Sequence, residues 1–416
     1  MISFLFFYIS IIILTYYAFI KFQKNHSFLL FIFIFPLALR IFLSFILSFI
    51  NIKRGFLPFF GGDITLYITR SMELNSFNTL FPSSLNYHCD VLTTFYGVNL
   101  VTYISYILIY FFGNSFLYIR LFTFLIASFS NLILFHSLLK LFNSNVAKYG
   151  VLIFAFWPSY FYHTLDSFKE PYIILAILML FYFSATYKQT NIRYIVLIAF
   201  PLCLLFFLVD KMIFNIFLGY WTLSLFLKFI PYGKKIIILF VLSSFIFSPF
   251  IIKRHHIHPL LNHHLVNALE DENQNQSSFH ILPFKSPNDL DTKSEGKLFN
   301  GNKIILSSFL YIYVYGLLHV FFGPFLWKLN NSPHHLIIIP QLLFSIFAFP
   351  FCIKGMVHGL MKNFNLYFPL IFLIVALCSI MALSEGNMGA LVRHRDWLMP
   401  FALFLFYNGW LNAQQA

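Results

Sequence analysis

Acidic residues are scarce in this chain, 14 of 416, and charged residues of every kind make up 10% of it. So little charge cannot cover a water-facing surface of that size, which argues against an ordinary soluble domain. Cysteine is also rare, with Cys89, Cys203, Cys352 and Cys378 only. Three of these fall in apolar runs, so a disulfide framework among polar loops is excluded. The first apolar run, Ile2 to Ile20, lacks a charged start and a small-residue cleavage site before Lys21. It therefore reads as a retained span and not as a signal peptide.

Apolar residues are plentiful, at 60% with a mean hydropathy of +0.80. Runs of about 20 apolar residues suit a bilayer. They fall at 2–20, 28–50, 115–138, 147–164, 171–187, 194–209, 212–230, 236–252, 335–353, 366–383 and 397–412. The expected fold is an all-α integral membrane domain over 1–416 with about eleven crossings. Two further stretches, 96–113 and 304–326, are expected to lie on the outer face as interfacial or re-entrant helices.

The connectors divide by charge. Lys21, Lys24, Lys140, Lys148, Lys188, Arg193, Lys228, Lys234, Lys235, Lys354 and Lys362 sit in connectors that hold no acid. Lys and Arg near span ends remain cytoplasmic. Every Asp and Glu then falls on the other side, in the outer loops 51–95, 253–303 and 384–396 and the shorter outer turns. The net charge of +13, which is 27 minus 14, is accounted for largely by this orientation. No nucleic-acid partner is expected; membrane lipids are.

Three outer motifs carry candidate chemistry. Asp63 follows Gly61 and Gly62, which free the backbone to turn. Tyr67 and Arg70 come one and two helical turns later, on roughly the same face. A helix N-cap is the competing reading of Asp63, and spacing alone favours it. The second motif holds His163, Asp166, Lys169 and Glu170 ahead of Pro171. In one helical turn, positions 166, 169 and 170 would share a face. Ionisable groups at a span edge are costly, which favours function over a self-neutralising cap. The third is Arg393, His394 and Arg395 before Trp397. Arginine forks suit phosphate; an interfacial anchor with Trp397 is the alternative. His255, His256, His258, His263 and His264 match no zinc spacing. Arg40 lies within the second span, where it is expected to pair or snorkel.

The chain resembles GT-C membrane glycosyltransferases. The resemblance is carried by Gly61-Gly62-Asp63 with Tyr67, by Phe112-Gly113 with Arg120, and by Trp157-Pro158 through Asp166, Lys169 and Glu170. Gly323-Pro324 and Gly386-Asn387 through Arg393-His394-Arg395 resemble segments of related bacterial membrane proteins. It implies a glycosyltransferase of the inner membrane, multi-pass, with its site on the outer, periplasmic or extracellular, face. The donor would be a polyprenyl-phosphate-linked sugar, and the acceptor a glycan, lipid or protein in cell-surface polysaccharide assembly. Asp63, Asp166 and Glu170 would be catalytic. Lys169, Arg393 and Arg395 would bind the donor phosphate. Tyr67, Arg70, His163 and His394 would support them. A divalent metal ion is possible, with no ligand set assigned. The alternatives are a polysaccharide polymerase or ligase using a lipid-diphosphate-linked glycan, and a non-enzymatic flippase or transporter of lipid-linked oligosaccharide.

Overall fold

The computed structural model describes residues 2–20, 25–51, 71, 98–113, 116–165, 169–186, 192–209, 211–229, 299–300, 303–304, 306–323, 333–384 and 388–414. They form two compact units, Met1–Leu218 and Gly219–Ala416. Asp63, Tyr67, Arg70 and Asp166, the expected span 236–252, and most of the loops 51–95 and 253–303 lie outside the described residues.

The first unit begins with α1 (Ile2–Thr15), a π-helical turn (Tyr16–Ile20) and α2 (His26–Asn51). There follow α3 (Val98–Phe112), α4 (Phe116–Leu141), α5 (Ser144–Ala155), α6 (Pro158–His163), α7 (Glu170–Thr186) and α8 (Ile192–Leu208). Helix α9 (Lys211–Phe229) spans the boundary between the units. The second unit continues with a two-residue antiparallel ladder, β1 (Phe299–Asn300) on β2 (Lys303–Ile304). Then come α10 (Leu306–Phe322), α11 (Pro333–Lys362), α12 (Phe364–Ser384), α13 (Met388–Arg395) and α14 (Met399–Gln414). Apart from that ladder, the ordered elements among the described residues are helical.

The expected eleven crossings are corrected. Among the described residues, four helical stretches are long and apolar enough to cross a membrane: His26–Ile46, Leu117–Leu141, Ile339–Lys362 and Phe364–Ala382. The reason is length. Helices α7 and α8 have 17 residues each, or about 25 Å at 1.5 Å per residue. A hydrocarbon core is about 30 Å thick. The expected span 147–164 is broken outright: Pro158 has no N–H to give, and Trp157 before it is extended (φ −60°, ψ 120°). That leaves α5 with 12 residues and α6 with 6. The expected placement in the inner membrane, with a site on its outer face, rested on the eleven crossings. It loses its basis with them.

Polar groups inside the first unit are answered locally. Pro36 stands within α2 and cannot donate to the carbonyl of Ile32, four residues back. The Asn131 amide of α4 donates to that carbonyl at 3.2 Å. Both residues are buried, so the bond repairs a backbone acceptor that water cannot reach. Along α4 the hydroxyls of Thr123, Ser130 and Ser137 donate to carbonyls four residues earlier, the usual way a helix absorbs them.

In the second unit α11 and α14 touch backbone to backbone. A Cβ on Gly355 would run into the Leu405 carbonyl, and one on Gly409 into the Phe351 carbonyl. Such close approach needs glycine on both sides. It also brings the Asn408 amide to the Gly355 carbonyl, at 2.7 Å. Helices α10 and α12 meet similarly, with Gly316 against the Ala382 carbonyl and Tyr313 Oη 2.7 Å from Ser379 Oγ.

Candidate functional site

The polar centre of the first unit is Arg40. It lies fully buried on α2, in a stretch otherwise apolar for a turn on either side. It does not snorkel. Its Nε donates to Thr164 Oγ1 at 2.7 Å, and Nη2 to the Ala155 carbonyl at 3.5 Å. Its Cζ stands 4.7 Å from the centre of the Phe161 ring and 5.9 Å from that of Tyr160. No carboxylate among the described residues is paired with it. Two helix ends take that place. Ala155 closes α5 and Thr164 closes α6, and helix C-termini carry partial negative charge. The break at Trp157-Pro158 is what exposes these acceptors, and the Arg40 fork fills the gap. Nη1 has no hydrogen-bond partner among the described residues. The aromatic faces supply part of the compensation, since desolvated cation–π contacts are worth up to about 2 kcal/mol.

Of the second acidic motif, His163, Lys169 and Glu170 are among the described residues and Asp166 is not. Buried His163 ends α6, Thr164 and Leu165 form a turn, and half-buried Lys169 sits in a bend. The Lys169 carbonyl accepts from Tyr172 N and Ile173 N, so Lys169 opens α7. Buried Glu170 follows in the first turn, where the helix dipole favours an anion.

In the second unit α13 presents Arg393, His394 and Arg395 in its last turn. The chain then tightens: Asp396 N, Trp397 N and Leu398 N each bond the carbonyl three residues back. The three side chains divide. Arg395 is buried and donates through Nη1 to the Gly323 carbonyl at 2.7 Å. Gly323 itself closes α10 by bonding the His319 carbonyl. Burial pulls the Arg395 guanidinium down to about 10, against the opposing pull of Asp396 beside it. Arg393 and His394 are half-buried. The His394 ring lies 4.5 Å from that of Trp397, which is itself buried and so is no surface anchor.

Sequence reasoning missed the partners of Arg40 and Arg395, because the Ala155 and Gly323 carbonyls leave no side-chain signature and Thr164 is 124 positions from Arg40. The Trp157-Pro158 step was the available signal for the first, and Gly323-Pro324 for the second.

Comparison with protein-family models, with curated proteins and with solved structures finds no match. The resemblance to GT-C glycosyltransferases is therefore corrected. Its short motifs are not joined by a family match, and the crossings it requires are reduced to four candidates among the described residues. Among those residues no group of three His, Cys, Asp or Glu side chains can hold a metal ion. The polyprenyl-phosphate transferase architecture thus has no support among the described residues.

Proposed function

We propose that this chain is a membrane-associated helical binding protein, held by long apolar helices, four of which lie among the described residues. One observation carries the reading: the four long apolar stretches lie in α2, α4, α11 and α12, and α2 and α11 expose large apolar side chains in bulk. Phe31, Phe35, Phe42 and Phe45 on α2 and Leu343, Phe347, Val357 and Met361 on α11 are all exposed. An exposed apolar surface of that extent suits lipid better than water. The test is extraction of the membrane fraction with alkaline carbonate. The chain should stay with the lipid. Release into the supernatant would overturn the reading.

Within that frame the segment Met388–Trp397 is assigned an anion-binding role. The Arg393 guanidinium and the His394 imidazole are half-buried at its end, and Arg395 positions the segment through Gly323. A guanidinium beside an imidazole suits a phosphate or carboxylate. Lys169, with Glu170 and His163, remains a second, smaller candidate in the first unit. Titration of the solubilised protein with inorganic phosphate tests the first assignment.

A further inference from the structure

One end of the first unit is basic. The start of α2 and the turn between α4 and α5 are held at one level. Asn25 Nδ2 donates to Ser144 Oγ at 3.3 Å, and the Phe28 and Phe135 rings lie 5.7 Å apart. Lys140 and Lys148 stand four residues before and four after Ser144. The Lys148 ammonium sits 5.7 Å from the Phe28 ring centre, which ties the cation to the end of α2. Lys140, His26 and Tyr149 are exposed, Tyr149 by 64%. There is no Asp or Glu in 25–50 or in 116–155. The charge at this end is therefore uncompensated within these elements.

The same level is where two of the long apolar stretches terminate, one starting at His26 and the other ending at Leu141. Exposed Leu30 and Phe31 lie just inside it. Cations with a tyrosine directly outside an apolar band are what a headgroup layer meets. Lysines on flexible stems suit a diffuse layer of phosphates better than one enclosed anion.

We propose that Lys140 and Lys148, with His26 and Tyr149, form a docking surface for anionic phospholipid headgroups. This rests on the membrane-associated reading and adds a lipid preference to it. Tyr149 places its ring at the carbonyl level, and the two ammonium groups reach the phosphates.

The experiment uses the full chain in vesicles of phosphatidylcholine mixed with spin-labelled phosphatidylglycerol or spin-labelled phosphatidylcholine. Wild type should immobilise the anionic label preferentially. K140Q/K148Q should lose that preference by roughly fivefold per lysine, and high salt should do the same. K140R/K148R should retain it, and circular dichroism should show equal helix content in all three. Equal selectivity in wild type and K140Q/K148Q would overturn the proposal. Displacement of the anionic label by inorganic phosphate at constant ionic strength would overturn it too, in favour of a free-phosphate site. Failure of the protein to enter vesicles at all would overturn the membrane reading beneath it, an outcome distinct from incorporation without lipid preference.

Discussion

Arg40 Nε donates to Thr164 Oγ1 at 2.7 Å, across 124 positions of sequence. The bond ties the middle of α2 to the end of α6, and Nη2 ties it to the end of α5. A buried cation is thus held by two helix ends and two aromatic faces. Thr164→Val should therefore cost about 1.5–3 kcal/mol, the range for a hydrogen bond to a charged group. In an Arg40→Met background the same change should cost much less. Thermal unfolding of the four proteins, read as a double-mutant cycle, checks this; additive effects would mean that the bond contributes nothing.

A second cycle concerns Pro36 and Asn131. Asn131→Leu leaves the Ile32 carbonyl buried without a donor and should cost about 1–3 kcal/mol. Pro36→Ala restores an N–H at that position. In its presence Asn131→Leu should become nearly harmless. Equal losses with and without Pro36 would show that Asn131 matters for some other contact.

Arg393 and Arg395 should separate cleanly. Arg395→Gln loses the bond to the Gly323 carbonyl and should lower the melting temperature, with a loss of about 1.5–3 kcal/mol. Arg393→Gln should weaken phosphate binding in a titration. If Arg393→Gln binds phosphate as well as wild type, the anion-binding assignment fails.

Gly355→Ala and Gly409→Ala should each destabilise the α11–α14 pair, because the added methyl meets backbone rather than a movable side chain. Losses of about 1–3 kcal/mol or more are expected for such overpacking. Gly219→Ala is the control, since its added methyl meets only the Phe372 ring at an ordinary 3.7 Å.

Asn143 accepts from Val146 N at 2.9 Å and caps α5. Asn143→Ala should cost about 1 kcal/mol, and Asn143→Asp little. Thermal melts of the two variants suffice, and a neutral alanine variant would mean that water caps the helix as well.

Helix positions were legible from hydropathy: 28–50 became His26–Asn51, and 366–383 became Phe364–Ser384. Whether a helix crosses a bilayer was not, because apolar runs continue through residues that end helices. The run 147–164 concealed the break at Trp157-Pro158. The opposite error occurred at 335–353, where α11 runs on through Pro340 and Pro350 for 30 residues. The resemblance to a transferase came from short motifs whose spacing any span edge can produce. Lone Arg40 was legible as an anomaly. Its partners were not, since they are 115 and 124 positions away and one is a carbonyl. Arg395 is ambiguous in the same way: an arginine aimed at a backbone oxygen looks, in sequence, like one aimed at phosphate.

The touching glycines of α11 and α14 set a timetable for biosynthesis. Asn408 follows Gly355 by 53 residues. At the usual 5–20 residues per second, the ribosome needs roughly 3–10 s to supply it. Until then the Gly355 face of α11, shaped to fit one helix, has no α14 to seat on it.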